Sequence, residues 1–359
     1  MIERQASDLF FSTGAPVCIK IEGVTEPIND TTLGPGEVKK AAYSLMNDKQ
    51  LQRFEKEWEL DLGITVKNSG RFRINVFRER GEIAMVIRLI RSNIPTIAKL
   101  GLPPILNDLV LEPRGLVLIV GAAGSGKSTT LASMIDHRAR KQTGHILTIE
   151  DPIEYIHPHR KSIVNQREVG VDTHSYSHAL LRAMREAPDV ILIGEIRDYE
   201  TMQQAITYAE TGHLCLSTLH ASNADQTLDR IINFFPEAAH RQLFMDLSMN
   251  LKAVISQRLV TGIDGRRLPA VELLLNTPHV QDLILKGEVH QVKEAMEQGL
   301  DIGMLTFDHS LYELYKAGRI DLDEALFHAD SRNNLSLRIR LDKGEAKPGE
   351  GLSYGGKED

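Results

Sequence analysis

The chain has 359 residues, 42% of them hydrophobic and 25% charged, with a net charge of −7 and two cysteines. That length exceeds one comfortable core, so two domains are expected. The negative charge argues against general nucleic-acid binding, which needs clustered Lys and Arg. Cys18 and Cys215 lie far apart and form no zinc pattern, so a reducing compartment is expected. The start, MIERQASD, carries early charges and does not read as a signal peptide. No apolar run approaches the roughly 20 residues of a spanning helix, so a cytoplasmic location without direct membrane insertion is expected.

Residues 1–92 read as a small α/β module. Strand patterns occur at 8–12 and 17–21. Gly34-Pro35 opens a helix whose Val38, Ala41, Ala42, Leu45 and Met46 share one face, and a second helix covers 51–57. Phe72, Ile74 and Val76 alternate with Arg71, Arg73 and Asn75, a half-buried strand; residues 83–90 read as its partner, with Gly81 in the turn. The prolines at 95, 103, 104 and 113, with Gly101, mark 93–113 as a linker interrupted by a helical 105–111. Residues 114–275 alternate apolar strands, at 115–120, 145–150, 190–194 and 213–219, with helices, which predicts a parallel sheet covered on both faces. Residues 276–340 turn helical, at 279–286, 306–316, 321–328 and from 332. The tail from 341 is Gly- and charge-rich and is expected to be disordered.

The octet GAAGSGKS at 121–128 follows an apolar strand and opens a helix, the context that makes a phosphate-loop match specific. Gly121, Gly124 and Gly126 let the backbone turn its N–H groups toward phosphate oxygens, and the helix adds its positive end. Residues 121–129, including Ser125 and Thr129, are therefore the predicted ATP site. Lys127 is expected on the β- and γ-phosphates, and Ser128 on Mg²⁺. Hydrolysis needs a group that orients water and accepts its proton; Glu150, Asp151 and Glu154 in TIEDPIE are candidates. DVILIGE delivers Glu195 from a buried strand toward the metal. His213 and His220 bracket a further strand, with Thr218 expected between them in space, and one of the histidines is read as a γ-phosphate sensor. Arg73, Arg78 and Arg88 in the first module, and Arg185, Arg197 and Arg230 in the second, could stabilise transition-state charge.

Taken together, GAAGSGKST at 121, TIEDPIEY at 148, NQREVG at 165, LRAMREAPDVILIGEIRD at 181 and AETGHLCLSTLH at 209 resemble the secretion-type ATPases (GspE/VirB11-like). Within them they resemble the type IV pilus retraction ATPases of the PilT/PilU group. The resemblance runs from Ser7-Asp-Leu to about residue 340. It implies a PAS-like N-terminal α/β domain joined to a RecA-like P-loop ATPase core with a helical C-terminal extension. It also implies a homohexamer with ATP between the N-terminal domain of one subunit and a RecA-like core. By position it implies Glu154 as the catalytic glutamate, in preference to Glu150, and Glu195 as the Walker B acid. His213 and His220 match the His box, and Arg73 and Arg88 match arginines that help close the site.

Two departures are visible. Where the retraction ATPases carry AIRNLIRE, this chain has Pro278-His-Val-Gln-Asp-Leu-Ile-Leu-Lys286, so only the Leu-Ile pair survives. The family also usually begins with a helix before the Ser-Asp-Leu segment. The first departure, with GEVHQVKEAM after it, is similar to the PilU type and implies action beside a PilT-like paralogue. The expected partners are that paralogue and an inner-membrane pilus platform protein, with the ring peripheral at that membrane and a pivot in the 92–113 linker driving it. The rival readings are a pilus-assembly or type II secretion ATPase, disfavoured by the two cysteines, a ring component that binds ATP with little hydrolysis, and a nucleic-acid motor.

Overall fold

The computed structural model describes residues 1–342 and Gly344, except Gln5, Glu22, Asn68 and Ser69. These fall into two compact units. The tail expected from 341 lies, apart from Gly344, outside the described residues beyond Asp342. Leu341 and Asp342 themselves complete the helix Arg332–Asp342.

The first unit comprises Met1–Ile94 with Glu150–Pro158 and Gln166–Ala179. Its antiparallel sheet contains β1 (Asp8–Phe11), β2 (Pro16–Ile21), β3 (Val24–Thr32), β4 (Glu59–Val66), β5 (Gly70–Glu79) and β6 (Glu82–Ile90), in the order β3-β2-β1-β6-β5-β4. On β5, Phe72, Ile74 and Val76 are buried and the intervening arginines are not, as the alternation predicts. Glu79 pairs with Glu82, leaving Arg80 (φ 51°) and Gly81 (φ 84°) as a two-residue turn with both φ positive, the hairpin type that matches strand twist. The helices Glu37–Ser44 and Asp48–Glu57 place Val38, Ala42 and Phe54 against Leu60, Leu62, Ile74 and Met85. Asn47 and Gln50 form a capping box that starts the second helix three residues before the predicted Leu51. Two strands were not predicted. β3 is exposed along its whole length, so it has no apolar alternation to read. β4 does alternate, but over only Leu60 and Leu62.

The second unit comprises Pro95–Ile149, His159–Asn165 and the residues from Leu180 onward. The second sheet contains β7 (Gly115–Val120), β8 (Gly144–Glu150), β9 (Ser162–Glu168), β10 (Val190–Ile193), β11 (Leu214–Leu219), β12 (Leu251–Thr261) and β13 (Arg267–Leu275), ordered β13-β12-β7-β11-β10-β8-β9. β8, β10, β11, β7 and β12 pair in parallel, and β13 is antiparallel to β12. The four predicted strands are present, and β9, β12 and β13 are additional. Every residue of β7 is buried, each apolar side chain contributing about 2 kcal/mol of transfer free energy. Phe307, Leu311, Leu335 and Ile339 of the C-terminal helices, with Ile320 from the connection between two of them, form a separate cluster on Val260 and Ala270.

Two expectations need correction. The segment 93–113 is not a loose linker. Ile97, Leu102, Leu106, Leu109 and Val110 are buried in the core of the second unit with Met134 and Ile135. The Arg138 guanidinium donates to the carbonyls of Val110 (2.8 Å) and Glu112 (2.9 Å), and the Ser133 hydroxyl to that of Pro95 (2.8 Å). Nor are the units the contiguous stretches 1–92 and 114–275. The chain passes from one to the other five times, near 94, 149, 158, 165 and 179, so a pivot confined to 92–113 does not match the connectivity.

Candidate active site

β7 ends at Val120, and the chain turns through the glycine-rich loop into the helix Lys127–Lys141. Gly121, Gly124 and Gly126 have φ of 148°, 77° and 93°, a region side chains disfavour. A Cβ on Gly121 would also lie 2.5 Å from both the Gln257 carbonyl oxygen and Ser125 Oγ. Gly126 is the helix N-cap and no side chain caps it, and a helix N-terminus of this kind favours an anion. The Lys127 ammonium donates to the carbonyls of Gly121 (2.8 Å) and Ala122 (2.9 Å), which holds it within the loop. Ser125 Oγ is buried without a hydrogen-bond partner among the described residues.

The parallel register puts the ends of β10 and β11 at the same edge of the sheet as this loop. Just beyond β10, Glu195 accepts from Arg197 (2.7 Å at Nε) and lies 3.0 Å from His220 Nε2, which follows β11. Thr218 donates to the Gly194 carbonyl at 2.6 Å, which fixes the turn that presents Glu195. His213 is not part of this group. It precedes β11, beside Gly115 at the start of β7, with Nδ1 3.2 Å from both the Thr211 hydroxyl and the Tyr208 carbonyl. Six extended residues separate the two histidines, about 20 Å, so of the two candidates for the γ-phosphate sensor only His220 lies at the phosphate edge within one chain.

In the first unit, Glu154 is exposed between two buried residues, Ile153 and Tyr155. The Ile153 N–H donates to Glu168 Oε2 at 3.3 Å, and Arg91 forms a bridge with Tyr155. Of the other two candidates, Glu150 accepts from Gln166 at 3.2 Å and Asp151 is exposed. Arg73 and Arg88 are cross-strand neighbours on β5 and β6, and Arg88 Nε binds Asp8 Oδ1 at 2.6 Å. Burial pushes the Glu168 carboxyl above its ordinary value, against the Ile153 N–H and the charges of Arg71 and Arg73. Glu168 stood inside a motif without a role. Gln257, which borders the loop from β12 far downstream in the chain, carried no sequence signal at all.

The residues present fit a bound metal–nucleotide. Ser128 is the second residue of the phosphate-loop helix and Glu195 lies at the same sheet edge. Among the described residues no cluster of three or more His, Cys, Asp or Glu could hold a metal by itself. Mg²⁺ in such sites takes one or two protein oxygens and completes its shell with phosphates and water.

A glycine cradle between a buried parallel strand and a helix, with an acid and a histidine at the same edge, defines a P-loop nucleoside triphosphatase of the α/β class. Residues 1–299 match the family model described as type II/IV secretion system protein. The chain is 51% identical over 342 residues (95% of this chain, 90% of the relative) to the type IV pilus ATPase PilU of Pseudomonas aeruginosa. It is 43% identical to the type IV pilus retraction ATPase PilT of the same organism, over 90% of this chain and 94% of the relative. The crystal structure of the pilus retraction motor PilT with bound ADP superposes with a TM-score of 0.88 at 43% identity, covering 94% of this chain and 96% of that one. The ATPase DotB of Legionella pneumophila superposes at 0.74 with 26% identity, covering 90% and 92%. The chain belongs to the type II/IV secretion ATPase family, in its PilT/PilU group.

Proposed function

We propose that this chain is a PilU-type motor that hydrolyses ATP in a homohexameric ring and powers type IV pilus retraction, and hence twitching motility, together with a PilT-like paralogue. It is an ATPase of the pilus-retraction class. The observation that carries this reading is the cradle at 121–128 with Glu195 and His220 at the same sheet edge, in a chain 51% identical to PilU over 95% of its length. The departure of 278–286 from the retraction motif supports the accessory role.

The loop N–H groups and Lys127 bind the phosphate tail and orient the γ-phosphorus for in-line attack. Ser128 and Glu195 would hold Mg²⁺, which supplies neutralisation of phosphate charge when bound. Glu154 orients a water and takes its proton as the new P–O bond forms and the bond to the β-phosphate oxygen breaks. His220, against Glu195, adjusts that carboxylate to the presence of the γ-phosphate. Arg73 and Arg88 supply positive charge to the transition state in the assembled ring. Loss of the γ-phosphate changes these contacts, and that difference drives motion. No helix among the described residues is long and apolar enough to cross a membrane. The location proposed with this reading is cytoplasmic, at the inner membrane through the pilus platform protein, as suits a relative of PilU and PilT.

The test is retraction force in strains lacking this chain, the paralogue, or both, complemented with wild type or Lys127→Ala. The reading expects reduced force without this chain and no rescue by Lys127→Ala. Full rescue by that variant, or wild-type force without the chain, would overturn it. A purified chain that binds ATP but releases no phosphate would favour the non-hydrolysing ring component.

A further inference from the structure

The residues assigned above explain what touches phosphate. They do not explain what keeps the loop in shape, since its N-cap glycine offers no side chain and Gly124 has open space around it. Gln257 lies on β12, whose parallel register with β7 pairs Ser256 with Val120 and brings residue 257 beside Gly121. It is 4% exposed. Its side-chain Oε1 accepts from the hydroxyl of Thr130, itself buried, at 2.8 Å. With Oε1 committed to Thr130, the amide nitrogen faces Gly126, where a Cβ would lie 3.0 Å from Nε2. The backbone carbonyl of the same residue would lie 2.5 Å from a Cβ on Gly121. One residue therefore abuts the first and last glycines of the cradle and fastens the helix behind it.

We propose that Gln257 is a positioning residue for ATP binding, resting on the reading of 121–128 as the nucleotide site. It fixes the separation of Gly121 and Gly126, and with it the inward aim of the loop N–H groups. The amide also has a chemical reason. Glutamine accepts from Thr130 and turns a donor toward the loop while remaining neutral. Glutamate has the same shape and can still accept from Thr130, but it lacks the donor and places a negative charge beside a polyphosphate.

The experiment measures the affinity of full-length protein for a fluorescent Mg²⁺–ATP analogue, alongside the urea midpoint of the nucleotide-free protein. Wild type, Gln257→Ala, Gln257→Glu and Thr130→Val are compared. The proposal expects Gln257→Ala to weaken binding about tenfold, and Gln257→Glu to weaken it more than Gln257→Ala although it preserves the Thr130 contact. Because a protonated glutamate regains a donor and loses its charge, the deficit of Gln257→Glu relative to wild type should narrow as pH falls toward about 5.5. Thr130→Val should weaken binding less and should add little to Gln257→Ala. If Gln257→Ala fails to fold, Gln257→Glu and Thr130→Val carry the test alone. Variants that lower the urea midpoint but bind the analogue like wild type would reduce Gln257 to a packing residue and overturn the proposal. Failure of wild type itself to bind would overturn the nucleotide site instead.

Discussion

Glu272→Gln isolates one buried carboxyl whose ionisation the fold penalises. Glu272 lies on β13 and is 2% exposed. Its Oε1 accepts from the N–H of Ala224, at the start of the helix Ala224–Phe234, at 2.7 Å, and from the Ser256 hydroxyl at 3.0 Å. Burial pushes its carboxyl from 4.5 up to about 7; those two donors oppose the rise, and the charges of Asp330 and Asp225 add to it. Because the native value lies above the unfolded one, the folded chain holds a proton that the unfolded chain releases between these two values. The contribution is fully present below pH 4.5 and is lost as pH rises to about 7. Glutamine keeps an oxygen that accepts both bonds and never ionises. From pH about 5.5 to about 7 is one and a half pH units at about 1.36 kcal/mol each, so the variant should gain about 2 kcal/mol relative to wild type between pH 5.5 and 8.5. Urea denaturation of the nucleotide-free proteins at those two pH values reads this directly. A stability difference between variant and wild type that is the same at both would refute the reasoning.

Gly121→Ala combines a φ of 148° with contacts at 2.5 Å to Gln257 and Ser125, so it should destabilise the protein by about 2 kcal/mol or more and abolish detectable binding of the ATP analogue; calorimetry and fluorescence titration check the two parts separately. Arg138→Met leaves the carbonyls of Val110 and Glu112 without their donor and should cost about 2 kcal/mol. It should also open 95–113 to limited proteolysis, whereas a loose linker would be cut equally in wild type and variant.

What could be read in the sequence was what is local. The strand–loop–helix at 115–141 holds its glycines, lysine and serine within one motif, and β5 shows its buried face in three alternating apolar residues. Contacts that depend on strand order were not legible. Gln257 meets Gly121 only because β12 adds to the sheet beside β7. His213 and His220 read as a pair in the sequence, yet a strand puts its two ends at opposite edges of the sheet. The prolines of 95–113 read as a linker with one helical stretch and hid the burial of Ile97, Leu102 and Leu106, which act as core rather than connector. β3, exposed throughout, has no buried face from which any pattern could arise.

The central claim is that the cradle binds ATP and that Glu154 drives attack by water. Steady-state phosphate release and analogue binding by Glu154→Gln, measured beside wild type with Mg²⁺, test it most directly. The account predicts binding unchanged within about twofold and turnover reduced about 100-fold or more, since only the proton acceptor is lost. Turnover close to wild type in that variant would contradict the assignment of Glu154, and no nucleotide binding by wild type would contradict the site as a whole.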